Sequence, residues 1–139
     1  MISKELQEIV AEIKRHEGYK PRVYTCSEGY DTIGYGFAIK DLVLDEEIST
    51  FILMKKLNTL LERIIIAFPW FQDINVIAKG VVINMCYQLG LRGFGKFKKT
   101  IYLLETEQYE DASVEMLNSL WAKQTYNRAK ELSETLRSI

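Results

Sequence analysis

The chain has little raw material for a metal or thiol framework: two cysteines and one histidine in 139 residues. Cys26 and Cys86 stand far apart and at no metal-ligand spacing, which argues against a zinc site and against a disulfide scaffold. Reduced thiols are the simplest reading. His16 is alone, so no triad or cluster can be built on histidine. An excess of one charge is missing too. With 18 basic and 19 acidic residues the net charge is −1, and no global field favours nucleic acid or an anionic membrane. Lys4, Glu5, Glu8 and Glu12 interrupt the first residues, so no signal-peptide apolar region is expected there. No later window approaches an uninterrupted membrane span, and repeats and low-complexity tracts are absent.

What is present suffices for one compact domain. The chain is 47% hydrophobic, enough for a sizeable core, and too short for a catalytic domain plus a separate binding module. Leu6, Ile9, Val10 and Ile13 recur at helical spacing, predicting a helix capped by Ser3 that ends near Glu17, with Gly18 as a left-handed cap. From Arg22 to Ile39 the pattern changes to β-formers punctuated by Gly29, Gly34 and Gly36. A small hairpin or three-stranded sheet is expected, with Glu28-Gly29 near a turn. Asp45 should cap a long helix through about Ala67, its apolar face running from Ile48, Phe51 and Ile52 to Ile64 and Ile65. Phe68-Pro69 stops it. Helices are then expected over Asn75–Leu89, Phe97–Leu104, Tyr109–Leu120 and Tyr126–Ser138.

The spacing of a few polar residues says more. Eight residues separate Glu17-Gly18 from Cys26 at its Glu, and five separate Cys26 from Thr32, which opens Thr32-Ile33-Gly34-Tyr35-Gly36. Further on stand Ile83-Asn84-Met85-Cys86-Tyr87-Gln88-Leu89-Gly90 and Gln124-Thr125-Tyr126-Asn127-Arg128-Ala129-Lys130. Taken together these segments resemble the phage lysozyme (endolysin) family of the T-even type, a group of muramidases, over about residues 13–137.

The resemblance implies an α+β, lysozyme-like fold in a single domain. A small lobe would occupy about 14–45, a connecting helix about 45–67, and a helical lobe about 68–139 joined by the N-terminal helix, with a cleft between the lobes. It implies hydrolysis of the β-1,4 bond between N-acetylmuramic acid and N-acetylglucosamine in peptidoglycan. Such cleavage needs a proton for the leaving oxygen and attack or stabilisation at the anomeric carbon. Glu17 matches the family's general acid and Arg128 an arginine that pairs with it.

Cys26 is the departure, because family members commonly carry Asp there. A free thiol with a pKa of about 8.5 is only a few per cent ionised at neutral pH, and a nearby Glu17 carboxylate would lower that fraction. Three roles stay open: a thiolate base, a polar placeholder with Thr32 orienting the water, or a nucleophile, the last disfavoured because departure from sulfur would be slow. Glu28, Ala38, Tyr87, Gln88, Thr100 and Glu115 match positions of substrate contact. Phe37 stands where many members have His.

No metal or cofactor is implied. The expected partner is peptidoglycan, with no nucleic acid and no stable membrane association. A monomer is expected to collect in the host cytoplasm and to reach the wall from the periplasm once a separate holin-type protein releases it. Two rivals remain: a lytic transglycosylase working with Glu17 alone, and a peptidoglycan-binding protein weakened in catalysis.

Overall fold

The computed structural model describes residues 3–139, which divide into two compact units, one through Ser49 and one from Thr50. In the first, helix α1 spans Lys4–Glu17 and is capped as its sequence predicts: the Ser3 side chain accepts from the Leu6 N–H at 3.2 Å. Gly18 ends the helix with φ 70° and ψ 158°, so it leaves the left-handed helical basin expected of it and turns straight into extended chain.

A three-stranded antiparallel sheet follows, β1 (Lys20–Thr25), β2 (Asp31–Gly34) and β3 (Phe37–Ala38), in that spatial order. β1 starts ahead of Arg22 and takes in Pro21. The sheet tolerates this because β1 is an edge strand with a register irregularity between Lys20 and Tyr24. Thr32, in the middle strand, faces Tyr24 on one side and Ala38 on the other.

Helix α2 (Glu46–Ala67) begins where Asp45 predicts, with Oδ1 accepting from the Ile48 N–H at 2.8 Å. Its apolar face is divided. Ile64 is fully buried and Leu60, Leu61 and Ile65 pack against the core, whereas Ile48, Phe51 and Ile52 stay exposed because the core reaches no further along the helix than Leu60.

The rest of the second unit is helical: α3 (Val76–Gly95), α4 (Lys98–Glu105), α5 (Tyr109–Glu115), α6 (Leu120–Gln124) and α7 (Tyr126–Arg137). Asn75 caps α3, and Gly90 at φ 75°, ψ 164° breaks its helical run, at the glycine the sequence marks. The helix expected over Tyr109–Leu120 ends at Glu115, and a separate helix starts at Leu120. Ser119 is the reason: its hydroxyl donates to the Met116 carbonyl at 2.8 Å and accepts from the Ala122 N–H at 3.1 Å. A side chain that takes both backbone groups competes with helix continuation and starts a new one. The core is centred on Val82, Met85, Phe94, Leu104, Met116 and Leu136.

Candidate active site

In the first unit the last turn of α1 lies on the turn between β2 and β3. Lys14 Nζ stands 5.2 Å from the centre of the Tyr35 ring, and Tyr35 packs on Tyr19 at 5.3 Å. One helical turn beyond Lys14, the Glu17 carboxylate rests against Gly36. A Cβ built on Gly36 would collide with Glu17 Oε2 and stand 3.0 Å from its Cδ, and Gly36 has φ +76°. The site therefore asks for glycine twice, for backbone freedom and for space.

Replacement Gly36→Ala is expected to lose about 1–2 kcal/mol through the positive φ and to displace the carboxylate. Where misplacement by an ångström costs up to about 10²-fold, the rate should fall further than stability alone explains. Gly29→Ala is the control. Its φ is +87° with open space around an added Cβ, so it brings strain without collision. Unfolding midpoints and rates of muropeptide release, measured on both variants, separate the two effects.

Cys26 sits at the other end of the sheet, where β1 leaves for the turn. Its N–H donates to the Tyr30 carbonyl and its own carbonyl accepts from the Gly29 N–H, each at 2.9 Å. That turn aims backbone N–H groups at the sulfur. Donation from Tyr30, then from Glu28, lowers the thiol below its ordinary value; the Thr32 hydroxyl assists, while partial burial and the Glu28 carboxylate oppose. This corrects the sequence expectation: the carboxylate acting on Cys26 is that of Glu28, and the backbone donors outweigh it.

Thr32 is 4% exposed and its hydroxyl donates to the Tyr30 carbonyl at 2.9 Å. A hydroxyl has one proton, so in this arrangement Thr32 offers the thiol its lone pairs. Once the sulfur is ionised the hydroxyl can rotate and donate to it. Cys86 is the opposite case, buried in the core, its thiol pushed up to about 12 by desolvation. Iodoacetamide at neutral pH should therefore modify Cys26 and leave Cys86 untouched in the folded chain, as peptide mapping would show. Equal labelling would refute the assignment.

In the second unit the candidate residues fall into two groups. Thr100, on α4, is only 2% exposed; with Glu115 it lines a cavity of about 490 Å³ whose wall includes Trp121. Trp121 Nε1 donates to Gln88 Oε1 at 2.9 Å, which ties Gln88 to that wall. Tyr87, 47% exposed, lines a second cavity instead. Arg128 is held by Asn84, through Nε to Oδ1 at 2.9 Å and through a terminal nitrogen to the carbonyl at 3.3 Å.

Asn84 and Trp121 carry no separate signal in the sequence. Asn84 stands four residues before Gln88 on α3, a spacing that puts both amides on one helix face. Among the described residues no group of three His, Cys, Asp or Glu side chains could hold a metal ion.

Comparison with known proteins adds an independent line. The phage lysozyme family model matches residues 14–136. The Probable T4-type lysozyme 1 of Dictyostelium discoideum is 27% identical, the alignment covering 91% of this chain and 91% of that protein. The Probable T4-type lysozyme 2 of the same organism is 35% identical over 54 residues, 39% of this chain and 32% of that protein. The Pre-baseplate central spike protein Gp5 of Enterobacteria phage T4 is 28% identical over 87% of this chain, which spans only 26% of that protein. The mostly helical fold with one small antiparallel sheet agrees with a match that runs from the last turn of α1 almost to the end of α7. This chain belongs to the phage lysozyme family.

Proposed function

We propose that the chain is a peptidoglycan hydrolase that cleaves the β-1,4 bond between N-acetylmuramic acid and N-acetylglucosamine, with Glu17 as general acid. The observation that carries this reading is the seat of the Glu17 carboxylate on the Gly36 turn, in the same unit as a sulfur held by backbone donors. Family membership supports a lysozyme-like, peptidoglycan-hydrolysing activity.

In the proposed step the bond from the anomeric carbon to the bridging oxygen breaks, and the Glu17 proton goes to the leaving oxygen. Water, oriented by Thr32, forms the new bond from the opposite face and gives its proton to the Cys26 sulfur in its ionised form, which becomes the neutral thiol. Inversion at the anomeric carbon is the outcome of that geometry. Glu28 and Ala38 would contact the sugar chain from the sheet, and Tyr87, Gln88, Thr100 and Glu115 from the helical unit. Arg128, oriented by Asn84, would pair with Glu17 when substrate is bound. In this reading the protein collects in the host cytoplasm and acts on the wall after a separate holin-type protein opens the membrane.

Mass spectrometry of the products released from purified peptidoglycan under reducing conditions tests the reading. Reducing-end muramic acid is expected. Anhydromuramic products would instead make this a transglycosylase, in which the muramyl 6-hydroxyl replaces water. Absence of release would reduce it to a binding protein.

A further inference from the structure

The second unit has a cavity of about 470 Å³ between the middle of α2 and the part of α3 that ends at the Gly90 break. Its lining has an unusual charge. Lys55, Lys56 and Arg63 contribute to it and no Asp or Glu does. The chain as a whole has a net charge of −1, so this is a local concentration of cations and not part of a general excess. Glu62, next to Arg63 in sequence, does not line the cavity. The one side-chain ion pair within 4.0 Å among the described residues is Lys130–Glu134, so none of the three cations is neutralised in this way. Lys56 and Arg63 lie two turns apart on one face of α2, so an anion settled between them would be drawn to both.

The neutral part of the lining fits the same purpose. Tyr87 presents an aromatic ring at the cavity's edge, and Cys86 stays a neutral thiol in its wall, adding no negative charge. At Gly90 an added Cβ would meet nothing within 4 Å, so the cavity is open on that side. A volume of this order suits a group of small-molecule size. Lysines supply point charges and the arginine a two-pronged donor, the usual means of holding carboxylates.

We infer that this cavity is a subsite for the carboxylates of the peptide stem attached to the muramyl residue, occupied while Tyr87 packs on the adjoining sugar. The inference rests on the peptidoglycan reading above and adds to it a specificity determinant: the enzyme reads the stem's free carboxylates as well as the glycan.

Binding separates this claim from catalysis. Soluble glycan fragments bearing peptide stems are compared with the same fragments after conversion of their carboxylates to amides, by calorimetry, in a Glu17→Gln background that prevents turnover. The free-carboxylate form is expected to bind about tenfold tighter, the low end of what one hydrogen bond to a charged group contributes. That preference should shrink as salt is raised. Combined Lys55→Gln, Lys56→Gln and Arg63→Gln should make the two forms bind alike. Equal binding of both fragments to the intact cavity, or a preference that survives the triple substitution, would overturn the inference. Loss in the triple variant of binding to phosphatidylglycerol vesicles, with the fragment preference intact, would assign the cations to a lipid surface instead. If the unaltered protein released no muropeptides, the hydrolase reading would fail while the binding comparison still judged the cavity.

Discussion

Glu17→Gln is expected to lower muropeptide release by about 10²- to 10⁴-fold, the usual worth of a positioned acid or base. The change keeps the side chain's shape and removes only its capacity to give up a proton. Glu17 is exposed at the end of α1, so the substitution disturbs no core packing and the unfolding free energy should stay within about 0.5 kcal/mol of the parent. Affinity for the glycan should also survive, because the amide still fits against Gly36. The combination of lost rate, retained binding and retained stability marks a group that acts on the reacting atoms. A variant that cleaves peptidoglycan at the parental rate would sink both the hydrolase and the transglycosylase readings, since each depends on the same proton.

Phe94→Ala should produce the largest loss of stability, about 3–5 kcal/mol, the range for deleting a buried aromatic ring. Phe94 has no exposed surface and meets Phe68 edge-on at 5.5 Å and Phe97 in a stack at 6.4 Å. Phe97 in turn packs edge-on against Trp121 at 5.9 Å, and Trp121 holds Gln88. The cavity left by the ring therefore opens next to the aromatic chain that supports a proposed substrate contact. Against a total stability of about 5–15 kcal/mol for a domain, such a loss leaves little margin. Urea unfolding followed by tryptophan fluorescence would measure it. Val76→Ala, at a site 76% exposed on α3, is the control and should move stability by no more than about 0.5 kcal/mol.

Residues that report through local rules were legible without coordinates. Ser3, Asp45 and Asn75 are short polar side chains set before apolar-periodic runs, the pattern of an N-cap, and each accepts from a backbone N–H of the first helical turn. The β-region was evident from its aromatic and β-branched residues between glycines, and Glu28-Gly29 falls in the turn between β1 and β2. Ser119 shows where such reading stops. Its hydroxyl could as well have bonded within one continuous helix, and only its two backbone partners show that the chain stops and restarts there. The apolar face of α2 marks a similar limit, because periodicity tells which residues share a face but not how far along it a core extends.

The site divides on the same line. Spacing along the chain singled out Glu17, Cys26 and Thr32, and the resemblance carried by those residues agrees with the family match over residues 14–136. Composition alone was enough to remove histidine chemistry and a cysteine-based metal site from consideration. The state of Cys26 was out of reach, because it depends on N–H groups of the backbone, which every residue possesses and no sequence pattern displays. The same holds for the carboxylate seat at Gly36, where a missing side chain matters only because another one arrives. The three cations facing one cavity are likewise ordinary surface residues in the linear chain. Sequence determined which chemical groups this protein has and which local turns and caps hold them. Tertiary structure decided which groups meet, since contact and desolvation are properties of distance in space and not of order along the chain.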